Sequence, residues 1–272
     1  MQPVDVLAIG AHPDDVEMSC GGTLIKLVRE GWRVAIVDCT RGELGSRGTV
    51  EIRTREAAQA ASIIGAVARE NLGLPDGYVA PTPEAIEALA RLFRHYRPRI
   101  VLFPPPFERH PDHEQVHRLV RAAWFHSGLA KLVTCGMDGQ PQQPYRPPLL
   151  FCYMQAYEFQ PTFYVDISDV YAEKVRAVQA HASQVYVPGI SPEGEPETVL
   201  SRPEFWELLE LRARYFGSRI GVRYAEAFLA LTPLGIPTMG IWLGHEGVRT
   251  AEGVHTASLG EPLRDSWSGS MS

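Results

Sequence analysis

Short apolar runs alternate with amphipathic segments along most of the chain. Nearly continuous apolar runs cover residues 4–9, 33–39 and 100–103, and each has the length of a strand that is buried on both faces. The segments between them have helical spacing, as in residues 51–64, where alanines and an isoleucine recur on one face. Strands that alternate with helices predict βαβ units, so the expected fold class is α/β.

The individual elements follow from the same pattern and complete a Rossmann-like three-layer sandwich, a mostly parallel sheet with helices on both faces. We predict strands over residues 4–9, 33–39, 71–77, 100–103, 149–153 and 163–167. We predict helices over residues 19–30, 51–64, 83–96, 112–125, 168–184 and 204–216. Asp14 or Asp15 is expected to cap the first helix, and Ser168 to cap the fifth. Residues 223–228 follow the last helix without an assigned element.

Length and composition restrict the organisation of the chain and the kinds of partner. The 272 residues fit one large domain over residues 1–231 and an extension over residues 232–272, rich in Gly, Ser, Thr and Pro, that is expected to be disordered or to form an interface. A formal net charge of -6 without a basic run argues against nucleic acid as a partner. No signal-peptide pattern or long apolar span occurs, so we expect no membrane partner and a cytoplasmic location. Four cysteines without paired spacing predict reduced thiols.

Two turns rich in histidine and acid follow the first and fourth predicted strands. The first carries His12, Asp14 and Asp15, and the second covers residues 108–113. Open α/β sheets bind ligands at the carboxyl ends of their strands. His12 and Asp15 can hold one cation from the same side of a tight turn, which leaves Asp14 free. A third ligand from the second turn would give the mixed nitrogen and oxygen set of a catalytic zinc site.

Other interpretations of these turns are weaker. Either turn alone could be an ordinary helix cap or a solvated loop, but both lie at strand ends. A non-haem iron oxygenase uses similar ligands, although its usual scaffold is a double-sheet β fold. A non-catalytic Rossmann-like ligand-binding module would need a glycine fingerprint, and here acids would repel a phosphate at the first turn.

With both turns placed, the sequence resembles the LmbE-like, or PIG-L, family of zinc-dependent N-acetylglucosaminyl deacetylases over residues 4–230. The resemblance implies that His12, Asp15 and His113 bind Zn²⁺, and Fe²⁺ suits the same ligands. It implies that Asp14 is the general base and that His110 assists at the oxyanion or the leaving group. It also implies a homo-oligomer, with a hexamer as one form.

Within the family, the sequence is most similar to the bacillithiol-biosynthesis deacetylases, which act on N-acetylglucosaminyl malate. The related mycothiol-pathway enzymes have a tyrosine where Glu108 stands here. The expected activity is therefore hydrolysis of the N-acetyl group of N-acetylglucosaminyl malate, with another N-acetylglucosaminide such as chitobiose as the alternative substrate. The segments that carry the likeness are residues 41–48, Arg53 with Glu56, and residues 109–113, 181–184 and 224–228.

Three further residues are candidates for binding this small-molecule glycoside. Arg53 and Arg109 could pair with a substrate carboxylate, because the planar guanidinium binds carboxylates through two parallel hydrogen bonds. For Arg109, a surface salt bridge is the competing interpretation. Asp76 lies in a Pro-Asp-Gly turn and either shapes that turn alone or accepts a hydrogen bond within the site.

Overall fold

A single mixed sheet forms the middle layer of the computed structural model, which describes residues 3–136, 138–189 and 195–236. Its strands, in the order β3-β2-β1-β4-β5-β7-β6, are parallel from β3 to β5, and β7 is antiparallel to both of its neighbours. The strands are β1 (Val6–Gly10), β2 (Val34–Thr40), β3 (Ala68–Leu74), β4 (Ile100–Phe103), β5 (Leu149–Tyr153), β6 (Phe163–Asp166) and β7 (Ala225–Ala230).

Helices cover both faces of this sheet within the described ranges. They are α1 (Asp15–Arg29), α2 (Val50–Ile64), α3 (Pro83–Tyr96), α4 (Pro111–Ser127), α5 (Tyr171–Gln179) and α6 (Glu204–Ser218). None of the helices described is both long enough and apolar enough to cross a lipid bilayer. The predicted α/β class, with a mostly parallel sheet between two helical layers, is confirmed.

The side chains of β1 alternate between two hydrophobic cores. Leu7 and Ile9 pack with apolar residues of α3 and α4. Val6 and Ala8 pack on the other face, with apolar residues of α1, α2 and α5. Because successive side chains of a strand point to opposite faces, a strand covered on both sides is apolar at most positions. This requirement explains why β1 was recognisable as an uninterrupted apolar run.

The sheet order places a cleft beside the end of β1. The chain adds β2 and β3 on one side of β1 and then crosses over to add β4 and β5 on the other. At such a switch point the loops that leave two neighbouring strands diverge to opposite faces, and the crevice between them is the usual ligand site of open α/β sheets. The loops that follow β1 and β4 are the two turns singled out by the sequence.

Several predicted boundaries were wrong. Helix α1 begins at Asp15, and neither acid caps it: Asp14 occupies the N-cap position without a side-chain capping bond, and the Asp15 carboxylate bonds to backbone amides on its N-terminal side. Helix α5 covers only Tyr171–Gln179. The Ser168 hydroxyl donates to Asp166 Oδ1 instead of capping α5. Strand β3 begins three residues earlier than predicted, at Ala68.

The segment left unassigned by the sequence, residues 223–228, lies largely in β7. Its Glu226 is buried and accepts hydrogen bonds from the backbone amides of Gly22 (3.0 Å) and Thr23 (2.7 Å) and from Lys174 Nζ (2.6 Å). One carboxylate therefore joins β7 to α1 and α5. The predicted C-terminal extension, residues 232–272, lies outside the described residues from position 237 onward.

Replacing Glu226 with alanine should lower the free energy of unfolding by about 3–5 kcal/mol, because Lys174 would remain buried without its counter-charge. Denaturant unfolding followed by circular dichroism measures this loss. Glu197→Ala, which removes an exposed partner of Arg202, is the matched control and should change stability by about 1 kcal/mol or less. Equal losses in the two variants would contradict the role assigned to Glu226.

Candidate active site

Three histidines from the two turns meet in the cleft beside β1. The ring centroid of His12 lies 4.7 Å from that of His110 and 5.4 Å from that of His113. Each of the three rings offers a nitrogen within 4.8 Å of the others, which is close enough to share one cation. The structure thus brings together residues that are about a hundred positions apart in the sequence.

The Asp15 carboxylate joins the two turns. Its Oδ2 accepts hydrogen bonds of 2.9 Å from the backbone amides of both Ala11 and His12 and lies 3.6 Å from His12 Nδ1. Its Oδ1 lies 3.2 Å from His113 Nε2 and accepts a 3.0 Å hydrogen bond from Gln155 Nε2. Burial alone would raise the pKa of Asp15, but His113 and His12 together hold it well below its ordinary value. Asp15 is therefore a buried, ionised carboxylate.

These donor atoms fit a divalent cation. Zinc bonds to nitrogen and oxygen of about 2.0–2.1 Å place tetrahedral ligand atoms roughly 3.3 Å apart. Asp15 Oδ2 lies 3.6 Å from His12 Nδ1 and Asp15 Oδ1 lies 3.2 Å from His113 Nε2, so each oxygen of the carboxylate lies close to that spacing from one imidazole. Two imidazoles and one carboxylate are also the ligand types that both zinc and ferrous iron accept.

Two carboxylates orient the His12 ring. Its Nε2 donates a 2.9 Å hydrogen bond to Asp76 Oδ1 and lies 3.4 Å from Asp112 Oδ2. A proton fixed on Nε2 leaves the Nδ1 lone pair, on the side of Asp15, free for a cation. Burial alone would lower the pKa of His12, but Asp112, Asp15 and Asp76 raise it well above the ordinary value. The same negative surroundings attract a cation.

A second trio of ligand atoms, from His12, Asp76 and Asp112, is close enough to be considered as a metal site. However, backbone groups already bind these carboxylates. Asp112 accepts from the amides of Gly77 (2.7 Å) and Val79 (3.2 Å), and Asp76 Oδ2 accepts from another backbone amide at 2.9 Å. Both acids are therefore better placed to hold His12 than to bind the cation themselves.

Asp14 differs from Asp15 in backbone conformation and in partners. Its φ of 132° lies in the region that L-residues rarely adopt, a strain that typically costs about 1–3 kcal/mol and is concentrated at functional sites. Its Oδ2 lies 3.3 Å from a terminal nitrogen of Arg53. Burial raises the pKa of Asp14 to about 6, although Arg53 opposes the shift. Such a carboxylate can exchange a proton near neutral pH.

The two predicted arginines occupy different places. Arg53 is buried, and its terminal nitrogens donate to the carbonyls of Gly42 (3.0 Å) and Pro13 (3.0 Å) in addition to contacting Asp14. Its Nε is buried without a hydrogen-bond partner among the described residues. Arg109 is exposed at the edge of the cleft. Arg53 thus lies inside the site, whereas Arg109 lies on its rim.

Sequence reasoning missed several residues that support the site. Gln155 binds Asp15 from the loop after β5, and only its position at a strand end could have indicated it. Glu108 is buried and accepts from the amides of Ala156 (2.8 Å) and Tyr157 (3.3 Å), so it fastens the loop after β4 to the loop after β5. Asp112 was predicted only to start a helix.

A buried charged cluster lies behind Asp14. The guanidinium of Arg69 binds both Asp38 and Glu17, and His181 Nε2 lies 3.4 Å from Glu17. Burial alone would raise the pKa of Glu17, but Arg69 and His181 lower it to about 2. The positive field of His181 also reaches Asp14 and opposes the rise of its pKa. This cluster is assembled from α1, β2, β3 and the segment after α5.

Comparison with known proteins places this site in a family. The family of GlcNAc-PI de-N-acetylases, PIG-L, matches residues 7–124, which contain both histidine turns. Diacetylchitobiose deacetylase of Thermococcus kodakarensis is 34% identical over 236 residues, covering 81% of this chain and 80% of the relative. The 1D-myo-inositol 2-acetamido-2-deoxy-alpha-D-glucopyranoside deacetylase of Mycobacterium leprae is 28% identical over 248 residues, covering 67% of this chain and 80% of the relative.

A solved structure shares the fold. The crystal structure of a conserved protein from Thermus thermophilus superposes with a TM-score of 0.75 at 39% identity, covering 86% of this chain and 98% of that one. The similarity therefore extends over the whole sandwich and is not confined to the two turns.

Replacing Asp76 with alanine should weaken binding of a divalent cation about 10- to 100-fold, because His12 would lose the hydrogen bond that fixes its ring. Replacing His113 with alanine should lower affinity further, since a predicted ligand would be removed. Competition of zinc against a chelating indicator measures both effects. Asp169→Ala, an exposed acid paired with Lys26, is the control and should bind like the parent. Full affinity in His113→Ala would refute its assignment as a ligand.

Proposed function

Because this chain belongs to the PIG-L, or LmbE-like, family of deacetylases, we propose that it is a metal-dependent hydrolase that removes the acetyl group from an N-acetylglucosamine conjugate. The observation that supports this most is the grouping of two histidines and an ionised carboxylate beside a second, separately held acid. An amide hydrolase needs both features: a Lewis-acid site and a group that accepts a proton.

Zinc is the proposed cofactor, held by His12, Asp15 and His113, and ferrous iron suits the same set. When bound, such a cation lowers the pKa of a water molecule and polarises a carbonyl oxygen. The residues supply the rest of the chemistry. Asp76 and Asp112 hold the His12 ring in place, and Gln155 with the backbone amides of residues 11 and 12 holds the Asp15 carboxylate.

Asp14 is proposed to take the proton from the attacking water. Its pKa of about 6 lies close to the operating pH, which is where a general base is most effective. Arg53 binds the carboxylate of Asp14 and not that of Asp15, so the two neighbouring acids are proposed to have separate tasks.

His110 is proposed to assist at the oxyanion or at the departing amine. Its Nδ1 accepts a 3.2 Å hydrogen bond from the amide of Asp112. Burial lowers the pKa of His110, and the nearby His12 and His113 lower it further, so the neutral ring is favoured. When Nδ1 of a neutral imidazole accepts a hydrogen bond, the proton of the ring lies on Nε2. Nε2 can then donate a hydrogen bond to the developing negative charge.

Two conjugates are candidates for the substrate. N-Acetylglucosaminyl malate follows from the sequence likeness and would require a cationic group for the malyl carboxylates, with Arg53 and Arg109 as the candidates. Diacetylchitobiose is supported by the 34% identity to the Thermococcus kodakarensis enzyme. Acetate release from N-acetylglucosamine and both conjugates, with metal analysis of the same sample, tests the proposal. No release from any of them by the metal-loaded protein would refute it.

Replacing Asp14 with asparagine should lower kcat about 100-fold or more, because loss of a general base typically costs two to four orders of magnitude. Asparagine has nearly the same shape as aspartate and meets the same backbone strain at this position, so zinc affinity and folding should be retained. Acetate release and zinc titration on the same preparation measure both quantities. Asp169→Asn serves as the control. Undiminished turnover in Asp14→Asn would remove Asp14 as the base.

A further inference from the structure

Four large apolar side chains are exposed along the edge of the sheet that carries the histidines. The exposed fractions are 63% for Leu44, 75% for Tyr78, 77% for Phe107 and 54% for Tyr157. They lie on the loops that follow β2, β3, β4 and β5. Because these strands are parallel, their loops leave the sheet at the same edge as the loop that carries His12. Together we name these four residues the apolar rim.

The sheet order places two members of the apolar rim on each side of β1. The loops after β2 and β3, with Leu44 and Tyr78, lie on one side of β1, and the loops after β4 and β5, with Phe107 and Tyr157, lie on the other. An apolar surface of this kind around a polar site typically marks a binding surface.

The loops that carry Leu44 and Tyr78 are hydrogen-bonded to the carboxylates that orient His12. The amide of Leu44 donates to Asp76 Oδ2 (2.9 Å), and the amide of Gly77, next to Tyr78, donates to Asp112 Oδ2 (2.7 Å). Leu44 also lies over the Pro-Asp-Gly turn, since a Cβ added at Gly77 would be 3.1 Å from Leu44 Cδ1. The backbone that carries these two exposed side chains is therefore fixed relative to the site.

The second pair is tied to the other side of the site in the same way. Phe107 immediately precedes Glu108, whose Oε2 accepts from the amide of Tyr157 (3.3 Å). Two residues before Tyr157, Gln155 donates to the Asp15 carboxylate (3.0 Å). Hydrogen bonds therefore connect the loops of both pairs to residues of the candidate site.

Resting on the proposed function, we propose that the apolar rim is the subsite for the aglycone, and that it selects an uncharged aglycone with an apolar face, such as a second pyranose ring. Aromatic faces pack against apolar ring surfaces, and burying an exposed tyrosine or phenylalanine against such a surface is favourable. The rim contributes three such aromatic side chains and one leucine around the cleft.

The charges of the same loops argue against a dicarboxylate aglycone. Their exposed charged residues are two cations and two anions: Arg41, Arg109, Glu43 and Glu158. Glu43 moreover accepts hydrogen bonds from the amides of Asp76 (3.0 Å) and Arg41 (3.3 Å), so its negative charge is held at the rim. A malyl group would carry two negative charges into surroundings without a positive excess, whereas a sugar would not be repelled.

The experiment compares kcat/KM for N-acetylglucosamine, diacetylchitobiose and N-acetylglucosaminyl malate in the zinc-loaded protein. The parent should prefer diacetylchitobiose to the malyl glycoside at least tenfold. The double variants Leu44→Ala/Tyr78→Ala and Phe107→Ala/Tyr157→Ala should each lower the ratio of kcat/KM for diacetylchitobiose to that for N-acetylglucosamine about tenfold, mainly through KM. The matched control is Trp32→Ala, which should leave that ratio unchanged. Trp32 is 43% exposed and lies between α1 and β2, at the opposite end of the strands.

The outcomes are distinct. A parent that prefers the malyl glycoside, or a ratio unchanged in both double variants, would overturn the subsite while the deacetylase function stands. If the ratio is unchanged but light scattering shows that the double variants lose an oligomeric form, the apolar rim joins copies of the chain and the subsite is again overturned. No activity of the parent toward any of the three compounds would overturn the proposed function and the subsite with it.

Discussion

The position of one buried carboxylate, that of Asp15, organises the centre of this protein. One oxygen is fixed by the amides of Ala11 and His12, and the other faces His113 and Gln155. Without these partners, a buried negative charge would be strongly destabilising. Residues that follow β4 and β5 therefore stabilise the first turn, so the arrangement of the sheet also stabilises the site.

Most of the fold was predictable because two-sided burial leaves a strong signal. Strands β1, β2, β4 and β5 lie in the middle of the sheet, and each is a nearly unbroken apolar run. The edge strand β3 was harder to predict. Strand β3 begins with Ala68, Arg69 and Glu70, and charged residues resemble a loop unless their buried partners are known. Arg69 is acceptable there because Asp38 and Glu17 neutralise it, and no local pattern shows contacts between residues 17 and 69.

The candidate site likewise contains residues that could be predicted from the sequence and residues that could not. His12, Asp15, His110 and His113 could be found because motif and strand end coincide. The groups that hold them could not, because their tasks depend on pairing in three dimensions. In the sequence, Asp112 indicates only a helix start, Asp76 indicates a turn, and Gln155 belongs to no motif. Sequence thus identified the residues that meet beside β1 better than those that orient them, which is expected when the supporting residues come from several loops.

The conformation of Asp14 has a consequence for how this protein can change. Glycine adopts a positive φ such as this 132° more readily than a residue with a side chain, so folding alone would be better served by glycine at position 14. The proposed role of Asp14 as general base instead requires a carboxylate there. Laboratory evolution for thermal resistance and for turnover should therefore pull this position in opposite directions, and a thermostabilised library screened without an activity assay would be prone to lose it.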